Sequence, residues 1–317
     1  MLISTDPPEH TRIRRLLSRA FTPRAITQLE PRLREVLQDM VDDLRSKARA
    51  GDADLVHDLA APFPVVVIAE LLDIPADRRA DFRRWSDAMS GGLSGDTEIS
   101  ELAEAGLQLF EFMADVVEKR TAEPGNDLIS RLVAGAEEDD DDPLTLEEIT
   151  LIAILLLIAG NETTSDLLGN AFNAFATFPD QQEAVWSDPT TVPNAVEEVL
   201  RWDGSVQAML RGTSGPFTVS GVEVPADAVV MMCFGGANRD PRKFPDPDRF
   251  DVTRGSTDHL TFGHGIHFCL GNALARNEAR LALNALIDAG IEIKPSPAAT
   301  RIPGVLLRGF SSFPLVQ

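Results

Sequence analysis

Cysteine is scarce: Cys233 and Cys269 are the only thiols among 317 residues. Two cysteines cannot build a disulfide framework, and their scarcity points to a reducing, cytoplasmic compartment. The opening residues MLISTDPPEHTR lack a basic stretch followed by an apolar one, so no signal peptide is expected. Long apolar runs are missing too. The strongest, LIAILLLIAG at 151–160, is too short to span a bilayer and runs into Asn161, Glu162 and Asp166, as a buried helix of a soluble protein would. Positive charge is in deficit, with 29 Lys and Arg against 50 Asp and Glu, a net charge of −21 and a pI near 4.6. That balance disfavours nucleic acid and anionic membrane as partners. One stretch departs from it: Arg12, Arg14, Arg15, Arg19 and Arg24 follow His10 with no acid among them. They form either a solvated helix face or a local patch for an acidic electron-transfer protein.

What is present is a globular composition, 44% hydrophobic and 25% charged, with no internal repeat or long linker. Its focus is FGHGIHFCLG, 262–271, where one thiol sits in a glycine-punctuated turn ahead of an apolar helix running to 288. Gly263, Gly265 and Gly271 remove side chains where backbone bends tightly or lies against a flat object. At a helix N-terminus the Cys269 thiolate would be stabilised by backbone N–H groups. Three readings stand for this thiol: a small buried hydrophobe, a zinc ligand together with His259, His264 and His267, or the axial ligand of a haem iron.

Other stretches carry polar residues in unexpected places. A helix over 145–178 opens with a capping box, Thr145 and Glu148. Its apolar middle is broken by AGNETT, where buried Glu162, Thr163 and Thr164 cost several kcal/mol unless something uses them. A Thr hydroxyl there can bond back to a carbonyl one turn earlier and open the helix locally. His10 and Arg14 share a face of a helix for which Asp6 is the expected N-cap. Glu198 and Arg201 are three apart on a helix over 193–204. FTVSGVEVPADAVVMMC, 217–233, alternates around Ser220-Gly221 as a hairpin. Helices are expected at 26–50 and 55–72, and two more between Pro75 and about Arg120, separated by a mobile SGGLSGD connection at 90–96. The acidic run at 137–142 reads as a solvated loop.

In this order the motifs resemble the cytochrome P-450 monooxygenases. Phe262, Gly265, Cys269 and Gly271 match the haem-loop pattern FxxGxxxCxG, and AGNET matches the oxygen-activation pattern AGxET. HxxxR, ExxR, Arg-Gly-Thr and a proline-rich meander at 238–250 complete the series over essentially the whole chain. The resemblance implies a mainly α fold with small β-sheets (α+β), as one domain over 1–317, and haem b (iron protoporphyrin IX) between the 145–178 helix and the 262–288 loop and helix.

By the same resemblance Cys269 ligates the iron, and His10, Arg14, Arg211 and His267 serve the propionates. Ala159, Gly160, Phe262, Gly263 and Gly271 border the ring, with Ala159 and Gly160 leaving room for dioxygen. Glu162 and Thr163 relay protons. Glu198 and Arg201 are structural, with Arg239 or Arg249 as third member of their network. Val206, Ala208 and Met209 line the substrate pocket, and a turn near Ser311 and Ser312 looks into it. The implied reaction inserts one oxygen atom from dioxygen into an apolar small molecule, with electrons from a ferredoxin-type donor docking near Arg12, Arg15 and the Cys269 face.

One departure is expected to matter. The family usually carries several tens of residues before the HxxxR helix, yet His10 is the tenth residue here. A fragment of a longer protein, an omitted disordered segment or a naturally shortened protein would each leave strands near 210–232 with an open edge. The alternative function is then haem binding without productive oxygenation.

Overall fold

The computed structural model describes residues 2–94, 98–137 and 142–316. Eleven helices are described: α1 (Glu9–Ala20), α2 (Pro23–Ala50), α3 (Pro62–Leu71), α4 (Arg79–Ser94), α5 (Ile99–Ala122), α6 (Leu128–Glu137), α7 (Leu146–Thr177), α8 (Pro179–Ser187), α9 (Val192–Asp203), the short α10 (Phe234–Ala237) and α11 (Asn272–Asp288). Six short strands, β1 (Ala208–Gly212), β2 (Phe217–Val219), β3 (Val222–Val224), β4 (Val229–Cys233), β5 (Thr300–Arg301) and β6 (Phe310–Ser312), pair antiparallel as β1–β4, β2–β3 and β5–β6. The expected mainly α fold with small sheets is what the chain adopts.

The axis of the molecule is α7. Its start is set by the capping box: the Glu148 amide donates to the Thr145 hydroxyl at 3.1 Å, and the Thr145 amide donates to the Glu148 carboxylate at 2.8 Å. By length and composition α7 would also cross a membrane, but half of its most apolar window is buried. Here α3, α4, α5, α9 and α11 pack around it, which is how a helix apolar on every side is satisfied within a protein. A Cβ on Gly160 would meet Ile68 of α3 at 3.2 Å, and one on Gly169 would meet Phe310 at 3.5 Å, so these two glycines set how closely neighbours approach α7.

Several local expectations are corrected. Asp6 does not cap α1; Pro8 occupies the cap, and Asp6 contributes its carbonyl to the His10 amide at 3.0 Å instead. The helix α4 continues through 90–94, while the rest of the glycine-rich connection, 95–97, lies outside the described residues, as do 138–141 of the acidic run. Ser311 and Ser312 form a strand rather than a turn. The hairpin at Ser220-Gly221 is present, with φ of 50° and 80° at its two central residues. The outer strand β4 is open to solvent, Val229 being 73% exposed, in keeping with the expected free edge.

Candidate functional site

Cys269 stands two residues ahead of Gly271, the N-cap of α11. Its amide donates to the Phe262 carbonyl at 2.9 Å, and its carbonyl accepts from Asn272 Nδ2 at 2.7 Å, so the loop is pinned on both sides of the thiol. Gly263 and Gly265 have φ of 71° and 75°, a region closed to most side chains. Gly271 has an ordinary φ, and a Cβ there would touch nothing within 4 Å, so it borders open space. Burial pushes the Cys269 thiol up, against the Gly271 amide, Arg14 and Arg276. The helix terminus therefore does not by itself keep a thiolate; a coordinated metal charge would.

Four cationic or protonatable side chains converge beside this thiol. The His10 and His267 rings lie 4.4 Å apart. Desolvation, then the charges of His10, Arg211 and Arg14, hold His267 below the ordinary imidazole range, with the Asp6 carboxylate opposing. Neither Arg14 nor Arg211 makes an ion pair among the described residues, and the buried Nε2 of His10 has no hydrogen-bond partner there. Uncompensated positive charge around a buried, unsatisfied donor or acceptor is the chemistry of an anion site. These residues come from α1, β1 and the Cys loop, far apart in sequence.

Behind the thiol lies a network that sequence reasoning missed. Arg276 places its guanidinium 4.5 Å from the centre of the Phe262 ring and donates to Glu197 at 2.5 and 3.0 Å. The buried His259 meets the same carboxylate at 3.0 Å. Burial would raise Glu197, but His259 and Arg276 outweigh it and hold the carboxyl at about 2. With His259 committed to Glu197, the four-ligand zinc arrangement does not form: no three His, Cys, Asp or Glu side chains gather to hold a metal ion among the described residues.

Glu198 and Arg201 form a fully enclosed fork, with both bonds at 2.8 Å. Arg201, 1% exposed, also donates to the carbonyls of Asn238, Pro247 and Arg249. The third cation is Arg254, 3.3 Å from Glu198, and neither of the two candidates. Arg249 contributes only its carbonyl, and Arg239 stacks 4.8 Å from the centre of the Trp202 ring and pairs with Asp248.

Across the core, Thr163 Oγ1 donates to the Ala159 carbonyl at 2.7 Å, as expected, yet α7 stays continuous there. Leu155, Leu156, Ala159 and Thr163 form a stripe that keeps solvent exposure on an otherwise buried helix. Gly160, half-buried and one turn after Leu156, borders that stripe, and because a Cβ on it would meet Ile68 its missing side chain also lets α3 approach. Glu162 is 9% exposed, and its Oε2 has no partner among the described residues; burial pushes the carboxyl up to about 7. One turn on, Asp166 is raised to about 8 by burial and then by Glu162, with Arg301 opposing. The repeat of an acid at i and i+4 in an apolar helix was the available signal for it. Glu278 of α11 is wholly buried, its Oε2 also unpartnered, and burial drives its carboxyl far above the usual range.

The remaining expectations divide. Val206 and Met209 are half-buried, but Ala208 is enclosed and offers almost no surface to a ligand. Ser311 is exposed and donates to the Thr300 carbonyl at 3.3 Å; the segment that meets α7 is Gly309–Phe310. Arg12 is tied to Glu148, and to Asp142 at 3.2 Å, which removes it from a free docking patch.

The cytochrome P-450 family profile matches residues 96–289. The vitamin D(3) 25-hydroxylase of Pseudonocardia autotrophica is 40% identical over all of this chain and 78% of its own length. The mycinamicin IV hydroxylase/epoxidase of Micromonospora griseorubida is 39% identical over 99% of this chain and 79% of its own. Among solved structures, CYP109E1 from Bacillus megaterium in complex with testosterone superposes with a TM-score of 0.91 at 34% identity, covering 98% of this chain and 85% of that one.

Proposed function

This chain belongs to the cytochrome P-450 family, haem-dependent monooxygenases, and from that premise we propose that Cys269 is its iron ligand and that His10, Arg14, Arg211 and His267 bind the haem propionates. The observation that carries this is the gathering of His10, Arg14 and Arg211 around His267, two residues before the loop thiol, with Arg14 acting on the thiol as well and neither arginine in an ion pair among the described residues. The chemistry of that donor set fits haem b: a sulfur for the iron, cations for two carboxylates, and Phe262, Gly263 and Gly271 leaving a bare surface beside them.

When bound, haem supplies reductive activation of dioxygen and transfer of one oxygen atom to an unactivated C–H bond, the second atom leaving as water. That chemistry would consume two protons, and Glu162 and Thr163 are the side chains of this chain that would deliver them. Glu162, titrating near neutrality, is able both to release a proton and to take one back. Thr163 accepts through its free lone pairs and donates after turning from the Ala159 carbonyl.

Leu155, Leu156 and Ala159 of the α7 stripe, with the half-buried Val206 and Met209, are the apolar side chains assigned to the substrate. The named relatives act on vitamin D(3) and mycinamicin IV, and CYP109E1 was crystallised with testosterone. A substrate of steroid or macrolide size fits the same reading. Electrons come from a ferredoxin-type donor at the Cys269 face, and the protein works in the cytoplasm.

The test is haem loading followed by reduction under carbon monoxide. A strongly red-shifted Soret band of thiolate ligation is expected, and its absence from the loaded protein would overturn the assignment. Ligands that shift the iron spin state, followed by turnover with a surrogate ferredoxin and reductase, then separate an oxygenase from a haem carrier.

A further inference from the structure

Asp166 is the one buried acid on α7 that the reading above leaves without a task. It lies one turn beyond Glu162 on the same face, and the two are 3% and 9% exposed. The chain at Gly309 passes directly over it: a Cβ on Gly309 would overlap the Asp166 carboxyl, so glycine is required there and the two segments touch. Around the pair stand Asn170 from α7, Asp203 from the end of α9, Arg301 from β5 and Arg308 from the segment before β6. These side chains are largely engaged with one another. Arg301 donates to Asp203 at 2.6 Å and to Asn170 at 3.3 Å, and Arg308 donates to Asp203 at 2.6 Å.

Asp203 thus receives both guanidinium groups, while Glu162 and Asp166 lie one turn apart on α7 with only the indirect field of Arg301. A second observation points the same way: the buried Glu162 Oε2 has no hydrogen-bond partner among the described residues. Two carboxyls at this spacing in a low-dielectric interior do not ionise together, and titrate as a pair.

We infer that Asp166 is the proton reservoir of a two-carboxyl relay, returning a proton to Glu162 each time Glu162 has given one toward Thr163. In that step the Asp166 carboxylic acid loses its proton to the Glu162 carboxylate, and the new Asp166 carboxylate is stabilised by Arg301. It regains a proton from solvent by way of the polar cluster of Asp203, Arg301 and Arg308, of which Arg308 is exposed, Gly309 itself being buried. No electrons move. The inference rests on the assignment of Glu162 as the distal acid.

The test uses the haem-loaded protein and the variants Asp166→Asn, Asp166→Glu and Glu162→Gln. Asp166→Asn keeps shape and removes the proton. Coupled oxygen insertion is expected to fall about tenfold or more, with the thiolate spectrum unchanged and substantial recovery in Asp166→Glu. The double variant Asp166→Asn with Glu162→Gln should be no worse than Glu162→Gln alone. An activity-independent readout is the pH titration of protonated carboxyl bands in infrared difference spectra. Wild type should show a broad two-step titration, and Asp166→Asn a single narrow one; a merely structural Asp166 would leave Glu162's titration unmoved. If Glu162→Gln keeps wild-type coupling, the underlying assignment fails. If Glu162→Gln is impaired while Asp166→Asn couples normally and titrates like wild type, only the reservoir role fails.

Discussion

The Arg276 guanidinium lies over the Phe262 ring, 4.5 Å from its centre, and the Phe262 carbonyl receives the Cys269 amide. A charge held by Glu197 and His259 is thereby coupled through one aromatic residue to the loop that presents the thiol. Such a contact is worth about 0.5–2 kcal/mol, more when desolvated.

Arg276→Ala should therefore destabilise the fold by about 2 kcal/mol, since it leaves the Glu197 carboxylate with His259 alone. Glu197 is depressed to about 2 in the folded protein, so its contribution is present above the unfolded value of 4.5 and is lost as pH falls toward 2. The gap in unfolding free energy between wild type and variant should be widest above pH 4.5 and narrow below it. Urea denaturation across pH 3 to 7 checks this.

Arg201→Lys should cost about 3 kcal/mol or more. An ammonium cannot reproduce the fork to Glu198 while also serving three carbonyls, and a buried charge left poorly paired is expensive. Reduced haem retention with accelerated unfolding is the expected outcome, measured by haem transfer to an acceptor globin.

Asp166→Asn should stabilise the fold increasingly as pH rises. Asp166 has a folded value raised to about 8 against 3.8 when unfolded, so its ionisation disfavours the folded state from pH 3.8 upward, levelling off beyond 8. Near pH 4 the variant and wild type should have similar Tm; at pH 9 the variant should melt higher. Equal differences at both pH values would remove the raised carboxyl.

Cys269→Ala should abolish the thiolate band of the reduced carbon monoxide complex, whereas Cys233→Ala should leave it intact, because Cys233 is exposed at the end of β4. A thiolate band surviving in the first variant would move the ligand elsewhere.

Thr163→Ala should leave haem binding and stability near wild type, since it removes only a bond back to Ala159, while more reducing equivalents end in peroxide or water than in product. The ratio of product to electrons consumed reads this directly.

What could be read from the sequence alone was whatever helix geometry or local turn chemistry decides. The Thr145–Glu148 box, the Glu198–Arg201 pair and a threonine bond back to the carbonyl one turn earlier join residues at most four apart, and the Ser220-Gly221 hairpin is set by its two turn residues, so local backbone geometry leaves little freedom in each. Individual helices followed from apolar periodicity, while the mainly α architecture as a whole followed from the family resemblance of the ordered motifs. Tertiary structure decided everything that depends on the path of the chain between elements. It selected Arg254 over Arg239 and Arg249, enclosed Ala208, turned Gly160 toward Ile68, tied Arg12 to Glu148, and joined Glu197, His259 and Arg276 behind the thiol. Charged side chains separated by tens of residues meet only when packing has excluded water from between them, and a periodic pattern carries no information about which of several arginines reaches the buried carboxylate first.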